Sequence, residues 1–508
     1  MTQFYGNKKN IVFCILAIVS FLFMGGGCVT VGPDYKAPEV NATSEWNARM
    51  ENGLQKDAVN KEDLAKWWRN LNDPILTKLI RKAINGNLDL AMARATLQEA
   101  RARRGLAESD QFPTLDAGGS ISKGKSSKDT GSPSTTKTHE LYHAGFDATW
   151  ELDVFGGVRR AVQAAQADLE AQKENLRDVL VSICAEVALN YVEMRTYQTR
   201  LDIARENIRI QKKTKEITSS LRKAGLGTEL EVQQASYNLS STRSRIPSLR
   251  SGLQAAKNRL AVLTGENPGT LDKMLAKQKP IPTVEPKVAV GVPAKTLRRR
   301  PDVRRAERQL AAQTARIGEA KSDLFPKFRL LGSVGLETIE HEPEFFHTDY
   351  SFWSIGPSVS WNIFDAGAIR RNIEIQTAKQ KQKLINYEKT VLAALEETEN
   401  ALTRFAREQE RVRELKDAVR SARKSEDLAT GNYKAGLVDF INVLNAQRAA
   451  LNYQEELALS KSAVTSNLIS LYKALGGGWQ NYWEEDAAAG RSEREKASTA
   501  KMGAKPQQ

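Results

Sequence analysis

The sequence predicts a mainly α-helical chain that carries part of a membrane β-barrel. Long coiled-coil hairpins and four transmembrane β-strands per protomer fall in two internal repeats, closing as a trimer around a barrel of about 12 strands. Three observations predict it. From Ala368 to Asn432 there is no proline and a single glycine, Gly431, so nothing punctuates a helix of about 65 residues, roughly 97 Å at 1.5 Å per residue. Trp150 opens Trp-Glu-Leu-Asp-Val-Phe-Gly-Gly-Val-Arg-Arg, and Trp361, 211 positions later, opens Trp-Asn-Ile-Phe-Asp-Ala-Gly-Ala-Ile-Arg-Arg. Ala224-Gly225-Leu226 against Ala435-Gly436-Leu437, and Gly265 against Gly476, keep that offset, which marks a repeat. Before each long helix, apolar and polar residues alternate with period two, the signature of a half-buried strand.

In chain order, residues 1–27 read as an export signal. Lys8-Lys9 precede an apolar run from Ile11 to Met24, too short to span a bilayer as a helix. Gly25-Gly26-Gly27-Cys28 follows and resembles a bacterial lipoprotein signal, which would make Cys28 the lipidated first residue of the mature chain. Residues 28–62 then form a proline-containing N-terminal tether. The first repeat covers 63–265. Asp73-Pro74 starts a helix over Ile75, Leu76, Leu79 and Ile80, because proline suits the first helical position. Asn85-Gly86-Asn87 ends it, and a further helix runs from about Leu88 to Ser109, stopping near Phe112-Pro113.

Strands are expected at about 114–122 and 142–154. Tyr142, Ala144, Phe146, Ala148, Trp150 and Leu152 share one face of the second, against His143, Gly145, Asp147, Thr149, Glu151 and Asp153. A helical hairpin follows over about 158–263, turning at Gly225. Along its first arm Leu180, Val187, Met194, Leu201 and Ile208 recur every seventh residue, a heptad seam with interruptions expected at Asn190 and Tyr197. Residues 266–300 form an equatorial connector. The second repeat, 301–476, places strands at about 327–338 and 351–363 and a hairpin at about 368–475. Its reversal is Tyr433-Lys434-Ala435-Gly436-Leu437-Val438-Asp439, with Gly436 free to take positive φ and Asp439 set to cap the returning helix. Residues 477–508 are expected to be a flexible tail.

Four strands cannot close a barrel, and an open sheet edge in lipid leaves backbone groups unpaired at several kcal/mol each. Closure therefore needs other copies. The polar strand faces carry Asp147, Glu151 and Asp153, which require water, so three copies and a lumen fit better than two copies and a filled barrel.

Charge and composition exclude other classes. The formal charge is +14 with 27% charged and 7% aromatic residues, but basic and acidic residues alternate along the helices, as in Arg404, Arg407, Glu408, Glu410, Arg411, Arg413 and Glu414. No basic run with aromatics points to nucleic acid. No Ser/His/Asp order, metal-spaced cluster or phosphate-cradling glycine loop indicates an enzyme, and no metal or cofactor is implied. His139, His143, His341 and His347 lie in or beside polar loops and read as solvated. Of three cysteines, Cys14 leaves with the signal, Cys28 is acylated and Cys184 packs inside a helix, so no disulfide pair remains.

Leu297-Arg298-Arg299-Arg300-Pro301-Asp302-Val303-Arg304-Arg305-Ala306-Glu307, Ala315-Arg316-Ile317-Gly318-Glu319-Ala320 and Phe325-Pro326 resemble the outer-membrane efflux channels of the TolC family. Gly32-Pro33-Asp34-Tyr35, Trp67-Trp68 with Asp73-Pro74, and Tyr433-Lys434-Ala435-Gly436 leading to Asn445-Ala446-Gln447-Arg448 narrow the likeness to its lipoprotein subgroup, NodT-type and OprM-like. The resemblance implies a homotrimer in outer-membrane lipid with a periplasmic helical tunnel, passively conducting small molecules such as drugs, toxic compounds or metal ions. A periplasmic adaptor and an inner-membrane resistance-nodulation-division pump would be its partners. It assigns Gly225, Leu226, Gly227 and Thr228, with Gly436, Leu437, Val438 and Asp439, to adaptor contact, and Ile441, Asn445 and Arg448 to a periplasmic gate. Asn445 departs from relatives that place aspartate there. A type I protein-secretion duct and a structural trimeric coiled-coil surface protein are the alternatives.

Overall fold

The computed structural model describes residues 30–39, 43, 45–57, 61–125, 138–283, 288–339 and 348–480. The signal segment, Cys28, His341 and His347 lie outside the described residues. In order come β1 (Leu54–Gln55), α1 (Lys61–Ala65), a 3-10 turn (Trp67–Leu71), α2 (Pro74–Gly86), α3 (Leu88–Ser109), β2 (Thr114–Lys125) and β3 (Thr138–Leu152). Then follow α4 (Gly157–Lys223), α5 (Glu229–Leu263), α6 (Asp272–Leu275), β4 (Val288–Ala289), α7 (Pro293–Leu297) and α8 (Pro301–Ser322). β5 (Lys327–Thr338), β6 (Ser351–Ser360), α9 (Ala368–Lys434) and α10 (Phe440–Ala474) complete the chain. Both α4 and α9 are 67 residues long, about 100 Å each if straight. Among the described residues no helix is long and apolar enough to cross a membrane.

The chain divides into two compact units, and each draws on both sequence repeats. The first takes residues up to 38, 97–172 and 306–387; the second takes 39–96, 173–305 and 388 onward.

In the first unit, β2-β3-β5-β6 form one antiparallel sheet in that order. The register lines Ala117, Phe146, Val334 and Trp353 across the four strands, and Leu115, Ala148, Gly332 and Ile355 in the next row but one. Between them lie Asp116, Asp147, Ser333 and Ser354 on the other face, where the two serine hydroxyls are 2.7 Å apart. The apolar face is exposed, with Trp353 and Ile355 among its uncovered side chains. The alternation in each strand thus adds up to one two-faced sheet, because cross-strand pairing leaves pleat parity unchanged. β6 stops at Ser360, short of the expected 363. Trp361 instead donates its Nε1–H to the Leu324 carbonyl at 3.1 Å, and Ile363 is exposed. The first repeat makes the same tie, Trp150 Nε1 to the Gln111 carbonyl at 3.0 Å.

The unit's helices approach closely through small residues, Ala167 of α4 against Ala311 and Ala312 of α8, with Tyr35 packed beside them. Two of the motifs read from the sequence meet here. A Cβ on Gly32, whose φ is +94°, would lie 2.3 Å from the Cα of Gly318, and one on Gly318 would lie 2.8 Å from the Arg160 Nε, so Gly32 admits no side chain and Gly318 none without moving Arg160. Arg160 holds the same segment, donating to the Val31 carbonyl at 3.0 Å and to Asp34 at 2.9 Å. The Tyr35 hydroxyl donates to Glu307 at 2.9 Å.

In the second unit, Leu180, Val187, Met194 and Leu201 are buried as the heptads require. Beyond Leu201 the buried face turns. Ile208 is only half-buried, whereas Asn207, Gln211, Thr214 and Thr218 are inside, because α4 there faces α10. Asn207 Nδ2 donates to Gln454 at 3.2 Å, and Gln447 Nε2 donates to the Thr214 hydroxyl at 2.8 Å. Asn190 and Tyr197 are half-buried at the flank and do not interrupt the core; Tyr197 lies over Gly252, where a Cβ would come within 2.4 Å of the ring. Pro247 sits inside α5 without ending it. It is exposed, so the carbonyl it cannot serve can turn to water.

β4 pairs in parallel with β1, Leu54 opposite Val288. A buried network reaches α2 from α4: Tyr191 donates to Asp73 at 2.5 Å, and Arg195 donates to Tyr191, to Gln198 and to the Lys277 carbonyl at 2.6 to 2.8 Å. Cys184 is fully buried, and burial pushes its thiol up to about 12, which suits packing and not nucleophilic attack. Residues 477–480, expected to open a flexible tail, are packed. Arg177 lies 4.3 Å over the Trp479 ring and Gln480 Nε2 donates to the Gly476 carbonyl at 2.8 Å, so cation–π contact and a backbone bond hold what composition alone read as loose. Residues 481–508 lie outside the described residues.

Candidate functional site at the hairpin tips

Both reversals are built the same way. Gly225 has φ +76° and Gly436 φ +75°. Gly225 and Leu226 donate backbone N–H groups to Arg222 and Leu221 at 3.0 and 2.8 Å; Gly436 and Leu437 donate to Tyr433 and Asn432 at 3.0 and 2.9 Å. These paired bonds satisfy the last carbonyls of each long helix and require a left-handed residue, hence glycine. The turn then throws the next side chain outward. Leu226 is 77% exposed and Leu437 72% exposed, an apolar residue at each tip with nothing covering it.

The returning helices start differently. At the first tip Thr228 and Glu231 exchange side-chain bonds with each other's backbone N–H, 3.3 and 2.8 Å, a capping box. Asp439 occupies the equivalent place at the second tip, but its side chain makes no capping bond, contrary to the role expected of it. Its backbone carbonyl instead accepts from Asn442 N at 3.1 Å and Asn442 Nδ2 at 3.3 Å, leaving an exposed carboxylate. Behind the tips, Ala235, Tyr433, Phe440, Val443 and Leu444 form one buried cluster, with Ile217 and Leu221 packed against it. It joins the two hairpins and was not legible beforehand, since its members come from four helices. Burial and the neighbouring Glu231 push the Tyr433 hydroxyl up to about 12.

Ile441, Asn445 and Arg448 are all exposed and share one face of α10. Arg448 is held from the other hairpin: its Nη2 donates to the Tyr237 hydroxyl at 2.8 Å, and its guanidinium lies 5.4 Å from that ring. Tyr237 is the residue 211 positions earlier, so the repeat places the two side by side. Only the repeat offset relates the two in sequence; neither lies on the apolar seam.

The Arg300-Pro301-Asp302 motif proves to be a clamp at the far end of α10. Arg300 donates to the Ala474 carbonyl at 2.8 Å, to Asp302 at 2.8 Å and to Glu397 at 2.6 Å. Asn87 does the equivalent work before α3, donating to the Leu263 carbonyl at 3.0 Å while accepting from Leu90 N at 3.0 Å. Leu263 and Ala474 again differ by 211 positions. Among the described residues no cluster of His, Cys, Asp and Glu is arranged to hold a metal ion.

A four-stranded sheet with one exposed apolar face and, in the other unit, two long helical hairpins with matched tips define the class: a membrane channel protein. The chain belongs to the outer membrane efflux protein family, whose pattern matches residues 79–266 and 292–477, one match per repeat. It is an outer-membrane protein of efflux. Nodulation protein T of Rhizobium leguminosarum bv. trifolii is 32% identical over 90% of this chain and 96% of its own length. Cation efflux system protein CusC of Escherichia coli O6:H1 is 29% identical over 93% of this chain and 99% of its own length. Among solved structures, the outer-membrane channel OprN aligns at TM-score 0.84 and 34% identity, over 89% of this chain and all of that one.

Proposed function

We propose that three copies of this chain form the outer-membrane duct of a tripartite efflux system, a passive conduit for small molecules driven by an inner-membrane resistance-nodulation-division pump. The observation that carries the reading is the sheet. β2 and β6 each pair on one side only among the described residues, the exposed face is apolar, and a single chain has too few strands to seal itself in lipid. Three copies give about 12 strands and a water-filled lumen for Asp116 and Asp147. Acylation of Cys28 would anchor each copy in outer-membrane lipid, with stability depending on more than one acyl chain. The two tips, Gly225-Leu226-Gly227-Thr228 and Gly436-Leu437-Val438-Asp439, offer exposed leucines on rigid turns to a periplasmic adaptor. Ile441, Asn445 and Arg448 form the gate, which opens when the adaptor shifts the helices that carry them.

Deleting the gene and measuring sensitivity to a panel of drugs, detergents, dyes and metal ions tests the whole reading. Increased sensitivity to at least one class, restored by the intact gene, is the expected result. Unchanged sensitivity throughout, together with no conductance from the purified protein in planar bilayers even when Ile441 and Arg448 are replaced by serine, would sink it.

A further inference from the structure

The exposed stripe of α10 runs Ile441, Asn445, Arg448, Asn452, Glu456 and Leu459, and only two of these six carry charge. Glu456 faces Arg411 at 3.5 Å, so its charge is answered within the chain. Glu455, beside it, is likewise taken by Arg245 at 3.0 Å and Arg200 at 3.9 Å. Arg448 is different. Its partner is a phenol, which accepts one hydrogen bond and offers a ring face but brings no negative charge. No carboxylate lies within ion-pairing distance of it among the described residues.

Two acids near the tip are out of reach. Asp439 is nine residues away along the helix, roughly 13 Å, beyond a Debye length of about 8 to 10 Å at ordinary ionic strength. Glu231, on the element that supplies Tyr237, is bonded to Thr228 N at 2.8 Å and sits at the tip. The position one turn from Arg448, where a carboxylate would pair with it at i, i+3 spacing, is Asn445, a neutral amide.

Resting on the assignment of this face to the constriction, we infer that the gate is a ring of three uncompensated guanidinium groups. The narrowest level of the duct therefore favours anions and neutral molecules and repels free cations, because a ring of like charge in a narrow pore sets its selectivity. The cargo class is anionic or neutral organic compounds, and Arg448 is the residue that decides it. Tyr237 fixes where the charge sits. Metal cations would pass poorly as free ions.

Purified protein in planar bilayers across a KCl gradient tests this, with assembly of each variant checked by native mass measurement. Wild-type channels should show a reversal potential of the anion-selective sign. Arg448→Gln should bring the anion-to-cation permeability ratio to about one, Arg448→Glu should invert its sign, and Asn445→Asp should reduce it by pairing with Arg448 in the same helix. Inversion by a single exposed residue is a result that misfolding cannot mimic. Cation-selective wild-type channels, or assembled Arg448→Glu channels with unchanged selectivity, would overturn the inference while leaving the duct intact. Assembled trimers that never conduct, in any variant, would overturn the duct reading itself.

Discussion

Arg300 shows how much one side chain can hold. Its guanidinium joins the last carbonyl of α10 to Asp302 and Glu397 and is 7% exposed. Arg300→Ala strands two carboxylates and a helix-end carbonyl, so it should lower stability by about 3 kcal/mol, read as an earlier denaturant midpoint of the helical signal. Gln211 presents the opposite case. It is buried with both amide atoms unpartnered, facing the stretch of α10 between Gln447 and Gln454. Gln211→Leu removes that unmet demand and should raise stability by about 1 kcal/mol or more; a lower midpoint would mean the amide is satisfied in solution. Glu426 supplies a pH signature. Burial, with Asp427 and Glu206 adding repulsion, raises its carboxyl to about 7. The fold therefore favours the protonated form. Its contribution is complete below the ordinary carboxyl range, near 4.5, and is lost as pH rises through about 7. Stability should fall across that window, and Glu426→Gln should flatten the fall.

The two helical hairpins have the same turn but unequal starts to their returning helices. Thr228 closes a capping box, whereas Asp439 makes no side-chain cap. Thr228→Ala should cost about 1 kcal/mol and speed amide exchange at residues 229–231. Asp439→Ala should change little at the second tip, beyond a few tenths of a kcal/mol from the helix dipole. Equal effects at both tips would show that the Asp439 carboxylate caps in solution. The long helices also change their mode of contact along their length. α4 packs largely through leucine, valine and methionine up to Leu201, with the Thr196 hydroxyl already bonded to Ser462 of α10, then through the Asn207 amide and the Thr214 hydroxyl. Hydrogen bonds across helices demand specific geometry where apolar surface demands only volume, so this stretch sets the register between α4 and α10.

At the level of the whole molecule, the sheet carries the proposed assembly. Its outer strands β2 and β6 each lack a second neighbour among the described residues, and each must be paired before the apolar face can sit in lipid. Native mass measurement in detergent should find three chains. A protein that stays monomeric in every detergent would remove the basis for the barrel. Cys28→Ser should abolish incorporation of a labelled fatty acid while leaving the four-stranded sheet unchanged. Persistent label would place the lipid elsewhere.

Much of this was legible in the residues because it depends on local periodicity. The helix from Ala368, the two glycine reversals, the alternating strand faces and the 211-residue repeat are statements about which neighbours along the chain share a face, and backbone geometry alone enforces them. Local pattern missed what depends on which elements meet. Tyr237 beside Arg448, Gly32 against Gly318, the polar rungs between α4 and α10, and the packed Trp479 each join residues far apart in the chain. Asp439 shows the same boundary at short range, since a capping residue in the right place still found no bond to make. The sequence by itself determined the helices, the strands and the spacing at which they recur. Only the tertiary structure decided which polar groups are answered by an opposite charge and which, like Arg448, meet a phenol instead, because that depends on distances between helices that no periodicity encodes.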